Sequence, residues 1–176
     1  MQVIIGLGNP GDKYKNNRHN VGFLSLDHIL KELQTISCSS SFDSKICEIH
    51  MPEKTFFVFP QTFMNDSGKA VKQILDFYKL TPKDILVLHD DVDLPLGTIK
   101  FTDNSGSAGH NGVTSLIDYL GTKEFRRIRI GVESRENKEH MPTDAFVLQD
   151  FSDEEMEQIP FDAIKTRVLL ELKEKI

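Results

Sequence analysis

Residues 3–33 read VIIGLGNPGDKYKNNRHNVGFLSLDHILKEL: a short apolar run, a glycine-rich turn, a polar loop, and then apolar residues at helical spacing. Val3-Ile4-Ile5 shows no polar alternation, the pattern of a strand buried on both faces. From Val21 the apolar positions Phe23, Leu24, Leu26, Ile29, Leu30 and Leu33 predict an amphipathic helix, with Asn20 placed to cap its N-terminus. Gly6-Leu7-Gly8-Asn9-Pro10-Gly11 satisfies the glycine spacing of dinucleotide-binding folds. That reading fails on its context. The pattern requires a helix to begin at the turn and present its N-terminus to a pyrophosphate, yet residues 12–19 are polar, and no acidic residue ends a second strand at the expected distance. What remains is a strand-to-loop transition that places Asn9 and the segment from Tyr14 to Asn20 at a sheet edge, where open α/β proteins bind ligands.

The rest of the chain alternates in the same way. Ser37 to Ser41 reads as a serine-rich connection, followed by β-rich segments at Lys45–Met51 and Thr55–Phe59 with Pro52-Glu53-Lys54 as the hairpin turn. Ser67 is placed to cap a helix bearing Ala70, Val71, Ile74, Leu75, Phe77 and Tyr78 on one side. Ile85 to Leu88 is a continuous apolar strand that ends at His89-Asp90-Asp91, and a short strand reaches Phe101. A loop of small residues, Asp103 to Gly112, precedes a helix to Leu120. A strand then carries Ile128, Ile130 and Val132 in alternation with Arg127, Arg129 and Gly131, and one acidic helix follows. This order predicts an α/β fold over residues 1–176: a single three-layer domain with a mixed central β-sheet flanked by helices.

Composition narrows the function classes. Hydrophobic residues at 39% and charged residues at 27% fit an ordinary globular protein, with no apolar run of membrane length and no signal peptide at the N-terminus, so a cytoplasmic protein is expected. Cys38 and Cys47 stand alone, too few for a disulfide framework or a four-cysteine zinc site, and are expected as reduced thiols. The net charge of −6 opposes a polyanionic partner only on average. Residues 1–138 carry 17 Lys+Arg against 17 Asp+Glu, whereas residues 139–176 carry 4 against 10. Within the neutral body, Lys13, Lys15 and Arg18 form one basic cluster and Lys123, Arg126, Arg127 and Arg129 another. Each reads either as a phosphate-facing patch or as solvated charge.

His19, at the loop-to-helix junction, is expected to be partly exposed and suits a titrating base. Its carboxylate partner must come from elsewhere, and Asp90, just past an apolar strand, is the choice from His89-Asp90-Asp91-Val92-Asp93. The same three aspartates could instead form a metal cluster completed by His19, His89 or His110. His28 and His50 lie within regular elements and read as structural; His140 reads as solvent-exposed. Asn9, Asn65 and Asn111 sit in loops beside glycines, where neutral amides either cap turns or hold an ester carbonyl near a hydrolytic water. No serine elbow or activated cysteine is present, so direct attack by water fits better than a covalent route.

In combination, several segments strongly resemble the bacterial-type peptidyl-tRNA hydrolases over nearly the whole chain. They are Gly6-Leu7-Gly8-Asn9-Pro10-Gly11, Tyr14, Asn17-Arg18-His19-Asn20-Val21-Gly22, Thr62-Phe63-Met64-Asn65, His89-Asp90-Asp91-Val92-Asp93-Leu94-Pro95, Gly109-His110-Asn111-Gly112 and Phe125-Arg126-Arg127-Ile128-Arg129-Ile130-Gly131. The resemblance implies a monomer without metal, cofactor or obligate protein partner that cleaves the ester between a peptide and the 3′ ribose of tRNA. It implies His19 as general base, Asp90 as the residue supporting its basic form, and Asn9 as a discriminator against aminoacyl-tRNA. Tyr14, Phe63, Met64, Asn65 and Asn111 would line the groove for the terminal nucleotide and the peptide, and Arg129 would meet tRNA. Plastid splicing factors similar to this family keep the fold for RNA binding, so a binding module is the rival reading. Three features depart from the family pattern: Thr102 where relatives carry a second basic contact, a lid reading Asn104-Ser105-Gly106-Ser107-Ala108-Gly109-His110-Asn111-Gly112 with fewer glycines, and an acidic C-terminal helix that stops early at Ile176.

Overall fold

A computed structural model describes residues 1–33, 37–50 and 53–173. One seven-stranded sheet organises them, from β1 (Gln2–Gly6), β2 (Ser37–Ser41), β3 (Ser44–His50), β4 (Lys54–Pro60), β5 (Ile85–Pro95), β6 (Ile99–Thr102) and β7 (Arg126–Glu133), in spatial order β2-β3-β4-β1-β5-β7-β6. The four inner strands β4, β1, β5 and β7 run parallel, and β2, β3 and β6 add antiparallel edges. The expected mixed sheet is therefore present, with the fully apolar segments at its centre.

Helices cover both faces. Ile4, Phe57, Leu86, Leu88 and Ile128 pack under α1 (Val21–Glu32) and α6 (Phe161–Lys173). Val3, Ile5, Phe56, Val58 and Val87 pack under α2 (Ser67–Tyr78) and α3 (Asn111–Leu120). Alternation along β1 sends Val3 and Ile5 to one layer and Ile4 to the other, which is why the run had to be apolar throughout. Two shorter helices, α4 (Thr143–Val147) and α5 (Asp153–Gln158), precede α6, so the acidic C-terminal region is three helices, with Pro142 and Pro160 among its breaks.

Several local expectations are corrected. Ser37–Ser41 is not a connection but the edge strand β2, paired with β3 from Ser37↔Glu48 to Ser41↔Ser44. The turn between them uses Phe42 and Asp43, both with positive φ (52° and 49°), a hairpin geometry normally signalled by glycine or asparagine. Phe42 is held there by Phe77 and Tyr78, with ring centroids 5.0 and 6.2 Å away, so Phe77 joins an exposed aromatic cluster instead of the helix's buried face. The same register sets Cys38 opposite Cys47, and the two form a disulfide in place of the expected thiols. β3 and β4 form the expected hairpin, but Met51 and Pro52 at its turn lie outside the described residues, as does the end of the chain past Lys173.

Strand β5 does not stop at Leu88. It continues through His89, Asp90 and Asp91, which stay in ladder with β7 (Asp91↔Gly131) and are buried. The glycine-rich turn after β1 has a packing cause: a Cβ on Gly6 would lie 2.6 Å from the Gly22 carbonyl oxygen, and one on Gly8 would lie 2.7 Å from the Phe23 ring. A Cβ on Gly22 itself would meet the Leu88 oxygen at 2.5 Å and Leu7 backbone atoms at 2.6 Å. Backbone cannot yield as a side chain can. Gly22→Ala is therefore expected to destabilise the fold by about 1–3 kcal/mol, in the range of core overpacking, read as a lower urea midpoint at unchanged slope.

Candidate active site

The carboxyl ends of β1, β4 and β5 open on one side of the sheet, and their loops converge there. The loop after β1 ends in a single 3-10 turn, Arg18–Asn20, that leads into α1. Asn20 occupies the N-cap position but makes no cap bond; its side chain accepts from the Asn9 N–H and donates to the Asn9 carbonyl, each at 2.9 Å. This clamp fixes Asn9, whose own side-chain oxygen accepts the Met64 N–H at 2.8 Å. With the oxygen engaged, the Asn9 amide group is left to act as a donor. Met64, Asn65 and Asp66 form a 3-10 turn running straight into α2, and Ser67 donates to the Met64 carbonyl rather than capping the helix.

Arg18 explains the burial of His19, only 7% exposed where partial exposure was expected. Its guanidinium is sandwiched against Phe146, forms a pair with Glu155 at 2.6 Å, and donates to the Gln149 and Asp150 carbonyls. The segment at residues 146–155 thus folds over the loop. Arg18 is consequently not available to phosphate, and the first basic cluster reduces to Lys13 and Lys15. The second is also depleted, since Arg126 pairs with Glu171 and Arg129 with Asp91. Arg127, 1% exposed, donates to the Ser105 and Gly106 carbonyls of the lid loop at 2.7 and 2.8 Å.

Asp90 is the centre of the site. His19 Nδ1 lies 2.9 and 3.0 Å from its two oxygens, and His110 Nε2 lies 2.8 Å from Oδ1. His110 Nδ1 accepts the N–H groups of Gly112 and Val113, capping α3, so its proton sits on Nε2 and is donated to Asp90. His89 Nδ1 donates to the Asp90 carbonyl at 2.7 Å. Sequence reasoning left His110 as an optional metal ligand; its signal was an N-cap position occupied by histidine.

These contacts set the charges. Burial opposes protonation of His19, but the Asp90 charge and hydrogen bond outweigh it, with Asp144 assisting, so its pKa lies above the ordinary 6.5. Burial likewise opposes ionisation of Asp90, yet the charges and hydrogen bonds of His19 and His110 hold its pKa far below the usual carboxylate range. His89 is pushed well below 6.5 by burial first, then by His110 and Arg127. The carboxylate is therefore ionised, and His19 Nδ1–H points at it, leaving Nε2 with a lone pair.

The three aspartates do not gather into a metal cluster. Alternation along β5 sends Asp90 to the histidines and Asp91 to Arg129, while Asp93 is exposed. His19, Asp90 and His110 do bring ligand atoms within 4.8 Å of one another, but the His110 atom in that group is an N–H donor. Among the described residues a second such group, His28, Glu32 and Asp162, is already bridged by the Lys165 ammonium.

A cleft of about 320 Å³ opens beside His19. Asn9, Tyr14, Phe63, Met64, Asn65 and Asn111, all singled out from sequence, line it. Tyr14 and Phe63 meet edge to face at 6.4 Å. Asp144, Val147 and Leu148 complete the wall and are not among the residues singled out from sequence, where the acidic composition of that end signals only a helix. Arg129 stands apart from this cleft, on β7 against Asp91.

Residues 3–174 match the family model described as peptidyl-tRNA hydrolase. The chain belongs to that family. A peptidyl-tRNA hydrolase of Aliarcobacter butzleri is 42% identical over 185 residues, covering 99% of this chain and 98% of the relative. One from Lactobacillus johnsonii is 45% identical over 139 residues, covering 78% and 75%. The crystal structure of the peptidyl-tRNA hydrolase from Acinetobacter baumannii superposes with a TM-score of 0.85 at 28% identity, covering 98% of this chain and 87% of that one.

The His19–Asp90 pair links stability to pH with definite signs. The share from His19, whose pKa is raised, is complete below pH 6.5 and is lost as pH rises through the folded value; the share from Asp90, whose pKa is depressed from 3.8, is present above pH 3.8 and is lost on acidification. In Asp90→Asn both effects of Asp90 disappear, while burial, the largest effect, remains against only the smaller Asp144 charge. His19 should then titrate below 6.5 rather than above it, as followed by the imidazole proton resonances; an unmoved midpoint would contradict the pairing.

Proposed function

We propose that this member of the peptidyl-tRNA hydrolase family cleaves the ester between a peptide and the 3′ ribose of tRNA by direct attack of water, with His19 as general base. The observation that carries this reading is the His19 Nδ1–Asp90 pair at 2.9 Å beside a cleft lined by three asparagines. Nε2 takes a proton from water as the oxygen bonds to the ester carbonyl carbon. Collapse of the tetrahedral adduct breaks the bond to the ribose oxygen, which receives that proton from the imidazolium. Asp90 holds the ring in one tautomer and stabilises the cation formed between the two transfers.

Asn9, whose side-chain oxygen is engaged by Met64 and whose amide hydrogens remain as donors, is suited to bind the acyl group that distinguishes peptidyl-tRNA from aminoacyl-tRNA. Asn65 and Asn111 offer further uncharged hydrogen bonds, and the Tyr14–Phe63 pair, with Met64 beneath, offers a stacking surface for the terminal base. The exposed Lys13, Lys15 and Lys123 supply phosphate contacts, and Arg129, held to Asp91 through Nε, offers its terminal guanidinium nitrogens for one more. Base, supporting carboxylate and amides come from one chain, so the reading is of a single-domain enzyme that works as a monomer without cofactor, beside the ribosome in the cytoplasm. The disulfide-bearing strand β2 contributes nothing to the cleft.

With N-acetyl-aminoacyl-tRNA as substrate, His19→Ala is expected to slow release of free tRNA by about a hundred- to ten-thousandfold, the span of general-base contributions. Normal turnover by that variant, or tight RNA binding by the wild type with no hydrolysis, would sink the proposal. Since the base must be neutral, wild-type kcat should rise with pH through a midpoint above 6.5.

A further inference from the structure

The cleft holds one fixed charge that makes no hydrogen bond to the catalytic pair and acts on His19 only through its field. Asp144, on α4, lines both the 320 Å³ cleft and a smaller cavity beneath the lid loop, and His19 lines both as well. Neighbouring acids are engaged: Asp90 by two histidines, Asp91 by Arg129, Glu155 by Arg18. Asp144 is exposed, with no hydrogen bond or ion pair among the described residues. Around it, apart from the titrating His19, the lining carries no charged side chain. Tyr14, Phe63, Val147 and Leu148 give apolar wall, and the three asparagines are uncharged.

We infer that Asp144 is a specificity residue that favours peptidyl-tRNA whose C-terminal amino acid carries a cationic side chain. This rests on the hydrolytic reading of the same site. The peptide backbone is neutral, so the carboxylate can distinguish substrates only by their side chains. The residue esterified to tRNA lies next to His19, hence within reach of the wall that Asp144 shares with it. A lysine or arginine there lays its methylene stem along Val147 and Leu148 and brings its charge to the carboxylate; a glutamate meets like charge.

One tRNA body carrying Nα-acetyl-lysine, Nα-acetyl-norleucine or Nα-acetyl-glutamate at its 3′ end tests this, because only the side chain varies. At low salt, kcat/KM should fall in the order lysine, norleucine, glutamate, with lysine above norleucine by up to about fivefold, the margin of an exposed ion pair, and the margin should shrink as salt rises. The ratio of the lysine to the norleucine ester, taken within each enzyme, should reach parity in Asp144→Asn, and Asp144→Lys should favour glutamate. Equal rates on the three esters in the wild type, or an Asp144→Asn that slows all three with unchanged ratios, overturns the inference and leaves the hydrolytic reading standing. Cleavage of none of the three overturns both.

Discussion

A carboxylate buried midway along β5, one of the inner strands, is the constraint around which this site is built. Asp90 is 2% exposed, and an ionised group at that depth is stable only when paired and hydrogen-bonded. No neighbouring strand supplies the partners. They arrive from two loops separated widely in sequence, His19 after β1 and His110 at the end of the lid, and both hydrogen-bond the same oxygen. The requirement to neutralise one charge therefore fixes where both loops sit, and the cleft is the space between them.

Buried arginines do for the loops what Asp90 does for the histidines. Arg18 ties the β1 loop to the segment between β7 and α5, and Arg127 grips two lid carbonyls from beneath. Each cation spends its terminal guanidinium nitrogens inside the protein, so the arginines that look in sequence like an RNA-binding surface are largely part of the scaffold. The exposed lysines that remain are few. Phosphate contact by an acidic chain must then be local, confined to positions where backbone geometry and a handful of charges coincide.

Much of this was legible in the sequence because the informative residues obey strong rules. An apolar run without alternation means a strand buried on both faces, and β1 and the first half of β5 follow it. Asn9, Tyr14, Phe63, Met64, Asn65 and Asn111 come together in one cleft because each follows or precedes an element ending on the same side of the sheet. The failures have equally definite causes. Serines carry a weak strand signal, and a two-residue turn built on Phe42 and Asp43 violates the usual glycine preference, so β2 and with it the Cys38–Cys47 pairing were invisible. β5 was cut short because polar residues normally end an apolar strand, whereas here they are retained within the ladder for their chemistry. Whether Arg18 faces solvent or Glu155 depends on a contact 137 residues away, which no local pattern encodes.

His110 shows how far such coupling extends. A serine or aspartate at the N-cap would satisfy the first amides of α3 and do nothing more. Imidazole has two nitrogens, and here one accepts from the helix while the other donates to Asp90. The cap thereby directs the remaining Nε2–H at the carboxylate. This second donor stabilises the carboxylate that His19 also uses, and the two rings lie with centroids 4.8 Å apart. The lid, the helix it leads into and the Asp90 carboxylate are thus tied together by one side chain. Displacing the lid would alter the environment of the Asp90 carboxylate and, through it, the pKa of His19.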